Sequence, residues 1–153
     1  RHYAGWVSPP TTPAQYAAYL GRCQQENHAG LFVCGAGTGA IIGAVDLSQI
    51  YHGPLQSCYM GYQIGAAYAG QGHMTEALNL VLRQAFTTRG LHRVEANIQP
   101  GNTASIALAR RVGFRLEGFS PRYLKIRGRW RDHERWAMLR EDWQRMLPRH
   151  GDR

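Results

Sequence analysis

The sequence predicts a mixed α/β domain of the α+β kind. Its centre is a mostly antiparallel sheet that contains one parallel pair, with helices on both faces. Three observations predict this. Short runs with two-residue alternation occupy residues 31–64 and 91–139. Between them, from Met74 to Phe86, the apolar period changes to about 3.6. The order strand, helix, strand around that segment implies a right-handed crossover and locally parallel strands. With 153 residues the chain reads as one domain, residues 1–153, long enough to bury a core.

Residues 1–11 read as irregular, with Pro9 and Pro10 as breakers. Thr12-Pro13-Ala14-Gln15 has the form of a capping box: a threonine N-cap, proline at the first helical position, and Gln15 reaching back. The helix it opens would run to about Glu26, with Tyr16, Tyr19, Leu20 and Cys23 on its apolar face. Leu31–Cys34 reads as a short strand, Gly35–Gly39 as a hairpin turn, and Ala40–Leu47 as the returning strand. After Gly53-Pro54, Ser57–Ile64 forms a third strand, with Cys58, Met60, Tyr62 and Ile64 on one side.

Met74, Ala77, Leu78, Val81, Leu82, Ala85 and Phe86 recur at three- and four-residue spacing, the clearest helix in the chain. Arg89-Gly90 stops it. Leu91–Gln99 then alternates Val94, Ala96 and Ile98 against Arg93, Glu95 and Asn97. Asn102 is a natural N-cap for a short helix to about Val112, ended by Gly113. Phe114–Gly118 and Tyr123–Arg127 read as one strand interrupted at Ser120-Pro121. Arg129–Leu139 returns beside it, with Trp130, Trp136 and Met138 as its large apolar residues. Glu141–Leu147 reads as a terminal helix followed by a frayed end.

Composition narrows the function classes. Hydrophobic residues make up 44% and charged residues 18%, which excludes a disordered chain. No apolar run is long enough to span a membrane, and residues 1–6 lack the pattern of a signal peptide; a cytoplasmic protein is expected. Cys23, Cys34 and Cys58 are odd in number and widely spaced, which suits free thiols, and no Cys/His group has metal-ligand spacing. The net charge of +8 is lopsided: residues 1–82 carry two basic residues against three acidic ones, and residues 83–153 carry 16 against seven. Such a basic half favours a polyanionic partner: a nucleotide cofactor, RNA or an acidic protein face.

The chemistry points to Gly70-Gln71-Gly72-His73-Met74-Thr75. Glycines at Gly70 and Gly72 let the backbone approach a ligand and adopt positive φ. The helix behind them aims its first N–H groups and its positive dipole end into the loop. That is a seat for an anion, a phosphate above all.

An ordered series of pieces then resembles the GNAT family of acetyl-CoA-dependent N-acetyltransferases, and within it the RimJ/RimL-like branch that modifies ribosomal-protein N-termini. The pieces are Gly61-Tyr62-Gln63-Ile64-Gly65, then Gly70-Gln71-Gly72-His73-Met74-Thr75-Glu76-Ala77-Leu78. Leu91–Ala96 follows, running on to Asn102-x-x-Ser105 and Gly113-Phe114. Last come Glu117-Gly118, Arg122-Tyr123-Leu124 and Gly128–His133. The resemblance covers roughly residues 30–140 and implies the GNAT fold, its parallel pair splayed at the cofactor. Ala69 and Met74 depart from the family's usual loop residues, and the family's first strand and helix have no counterpart in the chain.

The resemblance implies acetyl-CoA as cofactor, no metal, and an amine acceptor. That acceptor is a protein N-terminus such as a ribosomal protein's, or else a small amine (aminoglycoside, polyamine or amino acid). A non-catalytic acyl-CoA or RNA-binding module is the third reading, and a monomer or homodimer is expected. The backbone from Gly70 to Thr75 would cradle the pyrophosphate. Gln63, Ile64 and Gly65 would flank the pantetheine arm, with an N–H near Ile64 facing the thioester oxygen, and Asn102 would bond the pantetheine end. Many members place a tyrosine acid where Ala109 stands, whereas the RimL-like branch uses a serine at the position of Ser105. Ser105 is therefore the expected acid, with Tyr123 as the other candidate. Glu95 is the expected base. The branch's hairpin glutamate is replaced by Leu124, and Asp132 and His133 are weaker candidates that hairpin structure would also explain.

Overall fold

A computed structural model describes residues 9–148; the irregular segment expected before Pro9 and the frayed end expected after Pro148 lie outside the described residues. Along the chain come helix α1 (Pro13–Cys23), strands β1 (Ala29–Cys34), β2 (Ile41–Tyr51) and β3 (Ser57–Ile64), and a 3-10 turn (Ala66–Tyr68). Helix α2 (His73–Arg83) follows and is continued by a π-helical turn (Gln84–Thr88). Then come β4 (Arg93–Ile98), α3 (Thr103–Val112), β5 (Arg115–Ile126), β6 (Arg129–Leu139) and α4 (Arg140–Met146). The six strands form one sheet in the order β1-β2-β3-β4-β6-β5. Every neighbouring pair is antiparallel except β3 and β4, as the crossover through α2 requires.

The core follows from the seven-residue stripe on α2 and its π-helical continuation. Met74, Ala77, Leu78, Val81, Leu82, Ala85 and Phe86 are all buried. They share one apolar cluster with Val45 and Leu47 of β2, Cys58 and Met60 of β3, and Val94 and Ala96 of β4. Trp143 of α4 joins it against the Phe86 ring, 5.4 Å away between centroids. Asp46 lies between Val45 and Leu47, so strand alternation turns it to the other face. There it accepts a hydrogen bond from the Tyr19 hydroxyl of α1 at 2.8 Å. Helices thus cover both faces.

Several details depart from expectation. Thr12 caps α1, its Oγ1 accepting from the Gln15 N–H at 3.2 Å. Gln15 Oε1, however, accepts from the N–H of Thr11 at 2.8 Å, so the box closes one residue early. Helix α1 stops at Cys23, and none of its residues is buried; Tyr16 is 42% and Leu20 41% exposed. Strand β2 runs on to Tyr51. Strand β5 is continuous through Ser120-Pro121, absorbing the irregularity as a register shift against β6 between Ser120 and Leu124. Trp130 is 60% exposed, because β6 pairs with β4 only from Glu134 onward and its first residues meet β5 alone.

The pair β3/β4 carries the functional geometry. Its register runs Ser57↔Arg93, Cys58↔Val94, Tyr59↔Glu95 and goes no further, although β3 continues to Ile64 and β4 to Ile98. The two strands open into a V beyond Tyr59. Leu78 is fully buried at the centre of the packing that holds this crossover in place. Leu78→Ala is expected to lower stability by about 3 kcal/mol through lost burial and a cavity, measured by urea unfolding.

Candidate active site

A cavity of about 460 Å³ lies where the V opens. Strand β3 contributes Tyr62, Gln63 and Ile64, and the loop and start of α2 contribute Gly70, Gly72, His73, Met74 and Thr75. Helix α3 and its cap contribute Asn102, Ala104, Ser105, Ala107, Leu108 and Arg111. Of the eleven residues expected to contact a cofactor, nine line this one cavity. The two exceptions, Gly65 and Gln71, serve the loop itself. The Gly65 N–H donates to the Ile42 carbonyl at 2.8 Å, and the Gln71 side-chain amide donates to the Ala67 carbonyl at 2.8 Å.

The loop takes the form its glycines allow. Gly70 has φ +74° and Gly72, the N-cap of α2, has φ +86°. A Cβ at either would meet nothing within 4 Å, so strain and not crowding selects glycine there. No side chain caps the α2 N-terminus. The Gly72 carbonyl accepts the first helical bond, from the Glu76 N–H at 3.1 Å. The N–H groups before Glu76 therefore belong to the set that a helix leaves without internal partners. They and the dipole end border the cavity, while the guanidinium-bearing Arg111 borders it from α3. The donor set fits an anionic phosphate.

The candidate acid–base residues divide into two groups. Ser105 lines the cavity, and its N–H donates to Asn102 Oδ1 at 3.3 Å, so the cap holds the serine's position in the first turn of α3. The Tyr62 hydroxyl donates to the Ser105 carbonyl at 3.3 Å, and burial pushes its pKa up to about 12. Glu95 and Tyr123 are not among the lining residues. Glu95 stands at the last rung of the parallel ladder and accepts from Arg93 Nε at 2.7 Å. Tyr123 hydrogen-bonds Tyr59. That bond, with burial and the nearby Glu95 charge, pushes Tyr59 up to about 12. His133 is buried with its Nδ1 against the Arg131 carbonyl at 2.9 Å, and burial lowers its pKa. Asp132 Oδ1 accepts from the Arg122 N–H at 2.7 Å. Both are tied into the hairpin. Ala109 is buried, leaving no phenol at that position.

Sequence reasoning missed Tyr62, Tyr68 and Arg111 as lining residues. Arg111 was traceable: with Ala104 and Leu108 it falls at i, i+4 and i+7 on one face of α3. A second cavity, of about 410 Å³, was also missed. Tyr16, Tyr19 and Arg22 of α1, His28, Asp46 of β2, and Gly61 of β3 help line it, and it shares Tyr62 and Gln63 with the first. Its walls come from elements distant in sequence. The structure also brings Cys23, His28 and Asp46 together, with one ligand atom of each lying within 4.8 Å of the others. Spacing alone hid this group because its third member comes from β2. None of the three cysteines is in a disulfide. No helix among the described residues is long and apolar enough to cross a membrane.

A sheet splayed at one parallel pair, with an uncapped, glycine-led helix at the opening, defines the acetyltransferase architecture that the sequence motifs resemble. Comparison with known proteins agrees. The family model "Acetyltransferase (GNAT) domain" matches residues 1–115, and the chain belongs to that family. It is 41% identical over 118 residues to the "Probable N-acetyltransferase YjcK" of Bacillus subtilis, covering 77% of this chain and 64% of that protein. It is 42% identical over 103 residues to the "[Ribosomal protein uS5]-alanine N-acetyltransferase" of Escherichia coli, covering 67% of this chain and 53% of that protein. The chain thus spans between half and two thirds of the length of these relatives. Among solved structures it superposes on Mycobacterium smegmatis RimJ in complex with CoA-disulfide with a TM-score of 0.82 at 28% identity, covering 95% of this chain and 76% of that one.

Below the site, Arg93 joins β4 to β5. It donates to Glu95 and, through both terminal nitrogens, to Glu117, which also accepts from Arg115. The Arg93 guanidinium holds the Glu117 carboxyl down at about 2. A depressed carboxylate contributes stability above its unfolded pKa and loses it as pH falls. Glu117→Gln is expected to cost about 1 kcal/mol at pH 7, a figure discounted for solvent screening. The gap to the parent should close as pH falls from about 4.5 towards 2, measured by thermal unfolding across that range.

Proposed function

We propose that this chain transfers the acetyl group of acetyl-CoA to a primary amine, and that the acceptor is a protein N-terminal α-amine of the ribosomal-protein type. One observation carries the reading. The cavity that begins at the uncapped α2 N-terminus ends beside Ser105, and it shares Tyr62 and Gln63 with a second cavity under α1. Cofactor and acceptor would enter from opposite sides and meet between β3 and β4.

In this reading the backbone from Gly70 to Thr75 and the Arg111 guanidinium bind the pyrophosphate, while Gln63, Ile64 and Asn102 flank the pantetheine arm. The neutral amine attacks the thioester carbonyl from the side of the second cavity. The carbonyl carbon becomes tetrahedral, and a backbone N–H near Ile64 stabilises its oxyanion. Collapse breaks the C–S bond, and the Ser105 hydroxyl gives its proton to the departing thiolate while taking one up from solvent. Glu95 takes the amine's proton through water. The demand on this base is small, because a protein α-amine has a pKa of about 8 and is partly neutral already.

Two points favour a peptide over a small polycation as acceptor. Among the described residues, Asp46 is the only carboxylate lining the second cavity, whose other walls include Tyr16, Tyr19 and Phe32. A polyamine has several ammonium groups to neutralise, whereas an N-terminus has one. The relative from Escherichia coli that acts on ribosomal protein uS5 points the same way. The basic second half, with Arg122, Lys125, Arg127 and Arg129 exposed along the β5–β6 hairpin, would meet ribosomal RNA.

Calorimetry is expected to show one acetyl-CoA site. Gly72→Asp, which sets a negative charge at the phosphates, should weaken it about tenfold or more. Absence of binding by the parent chain overturns the proposal. Ser105→Ala should slow thiol release with an N-terminal peptide acceptor by about 100-fold while leaving acetyl-CoA affinity unchanged. Unaltered turnover would reduce Ser105 to a residue positioned by its cap.

A further inference from the structure

The cluster of Cys23, His28 and Asp46 lies at the edge of the second cavity, which His28 and Asp46 help line, and it has the composition of a metal site. Its atoms come from three places: the last residue of α1, the loop after it, and the middle of β2. His28 Nε2 and Asp46 Oδ1 are 3.2 Å apart. Two ligands of one tetrahedral zinc ion, each about 2.1 Å from it, sit about 3.4 Å apart. Thiolate sulfur belongs about 3.6 Å from each of the other two. With all three atoms already within 4.8 Å, a shift of about 1 Å by the half-buried Cys23 side chain completes the geometry.

Two further features set this cluster apart from a chance meeting of polar groups. Gly30 leaves it room: a Cβ at that position would lie 2.6 Å from Cys23 Sγ and 2.4 Å from the Tyr19 hydroxyl, so any larger residue would push both aside. Among the described residues, helix α1 also lacks a buried anchor. Helices α2, α3 and α4 each bury at least one side chain, and α1 buries none. What joins α1 to the sheet is this polar cluster, with Tyr19 donating to Asp46 and His28 bonded to the same oxygen. An ion in place of those hydrogen bonds would hold the end of α1 on β2 far more firmly.

We infer that Cys23, His28 and Asp46 form a binding site for a borderline divalent cation, zinc above all. Its fourth position is open to water or to the Tyr19 phenol. One sulfur, one imidazole nitrogen and one carboxylate oxygen select zinc over calcium or magnesium, which prefer oxygen alone. Binding exchanges the Cys23 thiol proton for the metal and involves no electron transfer. Because Tyr16, Tyr19 and Arg22 form the roof of the second cavity, the ion would fix that roof over β2. The inference does not depend on what the chain acetylates.

Cobalt(II) titration of the chelator-treated protein tests it. The expected result is a four-coordinate visible spectrum with a thiolate-to-metal charge-transfer band, both saturating at one equivalent and lost on adding zinc. Cys23→Ser should remove the charge-transfer band and weaken binding about tenfold or more. Cys34→Ser, at an exposed thiol outside the cluster, should leave both intact. Zinc should raise the melting temperature of the parent and not of Cys23→Ser. A six-coordinate spectrum, a band that survives Cys23→Ser, or no binding would overturn the site and leave the cluster as a hydrogen-bonded network only.

Discussion

The parting of β3 from β4 after Tyr59↔Glu95 is the constraint on which the rest of the site depends. Parallel strands must be joined by a crossover, and here the crossover is α2. The helix has to start where β3 ends, so its N-terminus lies beside the open part of the sheet. The opening and the positive helix end are therefore one structural event. The cavity, the cap at Asn102 and the serine behind it all face that opening.

Holding a sheet open is costly, because strands without ladder partners lose the hydrogen bonds that order them. The structure offsets this on both sides of the V. On one face the α2 stripe packs on Val45, Leu47, Cys58 and Met60 of β2 and β3. On the other arm β4 is locked to β6 over six residue pairs, Arg93↔Leu139 to Ile98↔Glu134. Arg93 then ties β4 to Glu117 on β5 at the closed end. The V is thus bounded by a packed core, an antiparallel ladder and an ion network, and no part of it relies on the loop alone.

Helix α1 is held differently. It lies over the second cavity without a buried apolar residue, attached through Tyr19, Cys23, His28 and Asp46. A helix fixed by polar groups can adjust its position at little cost in burial. The α2 wall, by contrast, is held by its buried apolar stripe.

The elements legible in the sequence were those that local rules decide. The α2 stripe, the bounds of β3 and β6, the Asn102 and Thr12 caps, and the glycines at positive φ follow from periodicity and backbone sterics, which act within a few residues. The glycine-led loop before α2 was legible for the same reason. What sequence could not decide was which side chains meet across elements. Trp130, one of the large apolar residues of β6, is exposed because the first residues of β6 pair with β5 alone. That Glu95 is ion-paired with Arg93 and does not line the first cavity is likewise a matter of packing. The second cavity and the Cys23–His28–Asp46 cluster have no local signal, because α1, β2 and β3 meet there only once the sheet has formed. Sequence determined the parts with short-range causes; the tertiary structure alone decided the contacts made by residues dozens of positions apart, because only packing brings them within reach.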